Sequence, residues 1–424
     1  MFNSGRGLFK DLSSKLTRNT TSGNYIAEID GLRFIAIAPV VLHHLAERII
    51  RQMDISGTAG SWDHFLFNLL PSGPLGVEIF FVISGFVISM PIIKKWLKQP
   101  NRKIKFGFKK YFKRRLTRLE PPYLLVMLTS FLSLLFLTHM GIDTVTSGTQ
   151  SYSVKSIPLY KSFLASIFYL HGLIFHSYPR LNPLAWSLEI EFQFYVAAPI
   201  LIIAAIYISK IFKKKHSIVS IFILMVLIFK TFEYLFISGD LQKYLVLDYI
   251  QYFFLGFVLC YFYENGRFQK STPLIYSNLI FISSLIVVYL ADRYINQVSP
   301  NISLLFELVK IAGIYSIFYA SFDGGIGKKF TSNVWISRIG GMCYSMYLIH
   351  LIFLQVSVSV LFRIYSLNSF VANLFIYTIL LLPILLLVTT LFYFFIEKPC
   401  MDPDWPENLL VNIKEFNESF SKSS

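Results

Sequence analysis

Arg33 and His44 stand on one apolar segment, residues 29–45, where neither side chain belongs by default. They are eleven residues apart. On an α-helix that is about 1100° of rotation, so both emerge within roughly 20° of one face and about 16 Å apart along the axis. The separation is near half the ~30 Å hydrocarbon thickness of a bilayer. An arginine at one membrane surface with an imidazole near mid-depth would set an anion anchor below a buried base. Ionisable groups at such depth are costly and mark functional paths. His43 is adjacent but turned about 100° off the Arg33 face, so His44 is the expected base.

Three further stretches carry chemistry. In 76–86, Glu78 would lie beside His44 across a helical hairpin and fix the imidazole tautomer; Ser84 and Gly85 there also permit close helix approach. Arg115 and Arg118, three apart, share a helical face. With Arg33 they could grip a polyphosphate, since guanidinium forks suit phosphate oxygens. In 182–195, Glu191, Gln193 and Tyr195 could hold an acceptor's hydroxyls while Trp186 stacks on a sugar face. Plainer readings stand beside each. The arginines serve equally as topogenic charges, Trp186 and Tyr195 as interfacial aromatics, and His44 as a helix-contact imidazole. A metal site at His44, Glu47 and Glu78 lacks a recognised ligand pattern, and no metal is expected.

The elements that must position these residues are membrane helices. The chain has 424 residues, 54% hydrophobic and only 15% charged, with a mean hydropathy of +0.57. Its apolar residues recur in runs of spanning length, as at 75–93, 123–140, 194–212, 217–237 and 370–396. The fold class expected is all-α, a polytopic bundle of about ten transmembrane helices. The first apolar segment holds Arg33 and His44 and no small-residue cleavage site follows, so no removable leader is expected. Cys260, Cys343 and Cys400 are scattered without redox or ligand spacing. The net charge of +15 does not indicate nucleic acid, because Lys and Arg cluster in alternate loops, as the positive-inside rule requires.

The densest of these loops, 94–118, carries twelve basic residues and is placed in the cytoplasm. Segment 157–175 decides the topology. If it spans, Lys213–Lys215 and Lys328–Lys329 are stranded outside; if it is re-entrant or lies on the outer surface, every basic cluster falls inside. Charge bias and the segment's own Lys161 and His171 favour ten spans, with both termini cytoplasmic. The domain reading is a polar tail at 1–24, a membrane domain at 25–399 and a second cytoplasmic tail at 400–424.

In order, Ile29-Asp30-Gly31-Leu32-Arg33 through His44, Gly76-Val77-Glu78-Ile79-Phe80-Phe81-Val82-Ile83-Ser84-Gly85-Phe86, Arg114-Arg115-Leu116-Thr117-Arg118, the run from Trp186 to Tyr195, Tyr344 to His350, and Ile396-Glu397-Lys398-Pro399 resemble the acyltransferase-3 family of bacterial membrane O-acyltransferases. The likeness covers nearly the whole chain, from about Tyr25 to Pro399. It implies transfer of an acyl group, usually acetyl, from cytoplasmic acyl-CoA to a carbohydrate or lipid-linked hydroxyl. The family's Arg–ten residues–His motif falls on Arg33 and His44, and its Arg-x-x-Arg motif on Arg115 and Arg118. Pro39 inside the first helix and Glu120 before Pro121 depart from the pattern. Some members carry a fused extracytoplasmic esterase-like domain, for which this chain has no room.

The expectation is therefore a membrane O-acyltransferase with no bound cofactor, acyl-CoA as co-substrate and a carbohydrate or glycolipid acceptor. Catalytic residues would be His44, Arg33, Glu78 and Glu191. Arg33, Arg115 and Arg118 would bind the donor, and Trp186, Gln193 and Tyr195 the acceptor. Direct transfer and an acyl-histidine intermediate are both open. The rival from another class is a secondary transporter with an Arg/His relay, but no internal halves or paired broken spans appear.

Overall fold

The computed structural model describes residues 17–18, 25–53, 62–140, 157–212, 217–269, 272–402 and 404–407. Among these residues there are helices and no strand, and ten helices are long and apolar enough to cross a membrane. In chain order the first crossings are α1 (Ala27–Met53), then, after the short α2 (Trp62–Asn68), α3 (Gly73–Lys98) and α4 (Phe108–His139). Two short helices follow, α5 (Leu159–Ile167) and α6 (His171–Phe175). The next crossings are α7 (Ala185–Phe212), α8 (Ser217–Phe236), α9 (Ile250–Glu264), α10 (Leu274–Tyr294) and α11 (Pro300–Asp323). After the short α12 (Gly325–Thr331) and α13 (Val334–Gly341) come α14 (Cys343–Ile364) and α15 (Phe370–Phe392).

The chain is thus a multi-pass membrane protein of ten candidate spans. Segment 157–175 is not among them. Its longer helix has nine residues, about 14 Å at 1.5 Å per residue, half of what a bilayer core requires. It turns into the bundle instead. The Tyr123 hydroxyl in mid-α4 donates to Ser166 O (2.8 Å), and Asn182 Nδ2 donates to Leu348 O on α14 (3.1 Å). Tyr169, at the turn between α5 and α6, stacks between Tyr123 and Phe192, with centroids at 4.7 Å on each side. Its φ of 59° is in the left-handed region, unfavourable for a bulky residue unless the surroundings hold it there.

With this alternation, Lys210, Arg267, Lys328, Lys329 and Arg338 fall at the same end of the bundle as residues 94–118. Lys213–Lys215, Lys270, residues 1–16 and 19–24 of the first tail and residues 403 and 408–424 of the second lie outside the described residues.

α1 is the central helix, packed against α3, α13, α14 and α15, and Pro39 does not end it. Its approach to α3 is close because Gly76 has no side chain. A Cβ there would stand 2.3 Å from Ala36 O and 2.4 Å from Val40 Cγ2. α3 begins with Ser72 Oγ accepting from Leu75 N and Pro74 in the first turn, both favourable at a helix start. The α1–α3 contact and the first half of α7 together form the walls of the site.

Candidate active site

Of the cavities among the described residues, two lie near the ends of the α1 segment that carries the motif, and Val77 lines both. The first has a volume of about 750 Å³ and is lined by Arg18, Arg33, Arg115 and Arg118, with Ser84, Glu191 and Tyr195 among its walls. Its charges come from remote parts of the chain. Arg33 pairs with Asp30 one turn earlier on α1, and Arg18 reaches the same Oδ1 at 3.4 Å. Arg115 lies over the Tyr195 ring, 5.1 Å from its centroid. Arg118 Nη2 is 3.9 Å from Glu397 Oε1. Glu397 is fully buried and accepts from Ser345 N (3.1 Å) and Ser345 Oγ (2.5 Å). Glu191 accepts from the Ser84 hydroxyl and from Tyr195 Oη (2.5 Å). Guanidiniums so arranged suit a ligand with several phosphate oxygens.

The second cavity, about 620 Å³, is lined by His43, His44, Glu47, Arg48, Tyr178 and Trp186. His44 Nδ1 lies 3.1 Å from Glu47 Oε2, and Glu47 also accepts from Arg51. A carboxylate can only accept, so Nδ1 carries the proton and Nε2 presents a lone pair, as a base requires. His350 on α14 is fully buried, with its ring 5.5 Å from that of His44. Its Nδ1 donates to Met346 O (2.9 Å) and Tyr347 O (3.1 Å), leaving Nε2 as a second lone pair with no donor. Trp186 meets Tyr178, centroids 6.1 Å apart, at the cavity wall. Burial holds the Tyr178 phenol above its ordinary range, so it stays a donor.

The predicted residues divide between these cavities. Arg33, Arg115 and Arg118 share the first; His44 and Trp186 share the second. Four placements differ from expectation. Glu78 does not approach His44. One residue past Val77 the helix has turned about 100°, and Glu78 instead meets Lys310 Nζ on α11 (2.9 Å), which also pairs with Glu307. The partner of His44 is Glu47, one turn along its own helix. Gln193 lines neither cavity: its amide donates to Tyr244 O (2.9 Å) and accepts from Val246 N (3.0 Å), so its hydrogen bonds are used to hold the loop before α9. Glu191 and Tyr195 face the arginines rather than Trp186, because two helical turns carry them from the outer mouth toward the basic end. His43 lines the same cavity as His44 and packs near Gly73 and Phe67, so helical phase separates the two histidines less than expected.

Arg18, Glu47, His350 and Glu397 were not assigned from sequence. The i,i+3 spacing of His44 and Glu47 was a usable signal for the dyad. His350 and Glu397 lay within motifs of the resemblance without a role of their own, and Arg18 had no signal at all.

The family model described as an acyltransferase domain matches residues 26–394, which hold the lining of both cavities apart from Arg18. The chain belongs to the acyltransferase-3 family. It is 26% identical over 346 residues to the O-acetyltransferase OatA of Staphylococcus aureus, covering 78% of this chain and 50% of that protein. A protein of Bacillus subtilis provisionally named as the peptidoglycan O-acetyltransferase YrhL is 26% identical over 215 residues, 48% of this chain and 28% of its own length. The chain therefore spans half or less of the length of these acyltransferase-3 relatives. No solved structure matches it.

Proposed function

We propose that this acyltransferase-3 protein moves an acyl group, acetyl in the first instance, from acyl-CoA to a hydroxyl of a cell-surface carbohydrate or lipid-linked glycan. The observation that carries the reading is the pair of cavities touching at Val77, one lined by arginines and the other by a histidine with its carboxylate. The CoA phosphates occupy the arginine cavity, at the cytoplasmic face of a bacterial inner membrane in this reading, which the gathering of basic residues at that end of the bundle supports. The pantetheine arm passes Val77 and brings the thioester to His44. The acceptor enters the second cavity from the opposite face, its sugar ring against Trp186.

The acceptor oxygen attacks the thioester carbonyl, its proton passes to His44 Nε2, and Glu47 holds the imidazolium that forms. The carbon–sulfur bond then breaks, and the proton goes to the departing thiolate to give free CoA. An attack by His44 itself, giving an acyl-histidine that the acceptor then takes, uses the same geometry. The name of one relative, the Bacillus subtilis protein, makes peptidoglycan the first acceptor to try.

Purified protein in nanodiscs, given radiolabelled acetyl-CoA and a muropeptide or glycan mixture, tests this. Acceptor-dependent CoA release with label on a glycan oxygen is the expected result. Acetyl-CoA left intact with every acceptor class, while the protein remains folded, would contradict it.

A further inference from the structure

Arg18 belongs to no motif and to no span, yet it lines the arginine cavity beside Arg33 and Arg118. Its side chain is only 11% exposed. Among the described residues it pairs with Asp30, which already serves Arg33. Glu397 stands beside Arg118, and Glu191 is bonded to the Ser84 and Tyr195 hydroxyls. A guanidinium buried against others of its kind is costly unless an anion shares the space. The cost is visible at Arg18: burial first, then the neighbouring Arg118 and Arg33, push its pKa down to about 9. A bound phosphate would relieve that repulsion and accept forked hydrogen bonds from each guanidinium it meets.

We propose that Arg18 is a fourth donor-binding residue, holding a phosphate of acyl-CoA together with Arg33 and Arg118, so that sequence ahead of the first span is part of the donor site. This rests on the donor reading given above. It also means that the arginines bound the donor from both sides of α1's start: Arg33 from the helix, Arg18 from the chain before it.

The test is acetyl-CoA binding to the full chain in phosphatidylcholine nanodiscs, with thermal stability measured alongside, for wild type, Arg18→Ala, Arg18→Lys and the control Lys98→Ala. Arg18→Ala is expected to bind about tenfold more weakly, a change of ~1.4 kcal/mol, with Arg18→Lys intermediate and Lys98→Ala unchanged. Should Arg18→Ala fail to fold, Arg18→Lys at wild-type melting temperature decides alone: weaker binding supports the assignment, equal binding overturns it. Wild-type affinity in a folded Arg18→Ala protein would mean that Arg18 holds a lipid phosphate or only Asp30. That result overturns this inference and leaves the donor reading intact, whereas a wild type that binds no acetyl-CoA overturns both.

Discussion

The two cavities are built in opposite ways. In the histidine cavity, His43, His44, Glu47 and Arg48 all come from α1, and the dyad needs only an i,i+3 step on one helix. The arginine cavity draws Arg18, Arg33, Arg115, Glu191 and Tyr344 from five separate stretches of chain. A local dyad keeps its geometry as long as its helix stands. A dispersed anion site depends on how the helices pack, and each arginine adds a share of binding rather than a step of chemistry. Substitutions in the histidine cavity should therefore reduce turnover, and those in the arginine cavity should reduce donor affinity.

The largest effect should follow His44→Ala. Loss of a general base costs roughly 10²- to 10⁴-fold, and here acyl transfer should fall by about that factor while acetyl-CoA binding is kept. His43→Ala reshapes the same cavity without removing the base, so a loss of about tenfold or less is expected, mainly in acceptor affinity. Equal losses of turnover in the two variants, at equal membrane abundance, would erase the distinction between them.

Glu47→Gln should come next. The amide can no longer balance an imidazolium charge, so a loss of about 100-fold in kcat with little change in KM for the donor is expected. Glu78→Gln serves as its comparison, since Glu78 faces Lys310 and not the imidazole. Steady-state kinetics of the pair shows which carboxylate orients His44, and a Glu78 effect confined to kcat with Glu47→Gln near wild type would reverse the assignment.

Arg115→Ala and Arg118→Ala should be smaller still in turnover, each raising KM for acetyl-CoA by about tenfold with kcat within about threefold of wild type. Lys94→Ala and Lys98→Ala, at the end of α3 on the same basic end of the bundle but lining neither cavity, should change neither. Four variants that behave alike would reduce the loop to a topogenic charge.

The same contrast explains what could be read from the sequence. Hydropathy and charge bias were enough for ten spans and for keeping 157–175 out of them, because spanning length and loop charge are properties of single segments; whether that segment turned inward or lay on the outer surface was open. Arg33, His44, Arg115, Arg118 and Trp186 were found as types out of place in apolar or motif contexts. What failed was rotation about a helix axis. Glu78 sits one residue from Val77, yet α3 turns it toward Lys310, and nothing in the linear pattern says which neighbour that face meets. Glu191 and Tyr195 were assigned by their distance from the outer end, but depth along α7 brings them to Arg115. Gln193 looked available until its loop partners were in place. Arg18 enters the site only through the fold.

The central claim is that donor and acceptor occupy separate cavities joined at Val77, and enlarging that residue tests it most directly. Val77 is 5% exposed, at the wall common to both cavities. In Val77→Phe, acetyl-CoA affinity measured by equilibrium binding in nanodiscs should stay within about threefold of wild type, since the phosphates remain on the arginines. Acyl transfer by the same preparation should fall by about 100-fold or more, because the thioester no longer reaches His44. Transfer retained at wild-type rate, or binding and transfer lost in equal measure by a folded protein, would contradict a two-cavity site.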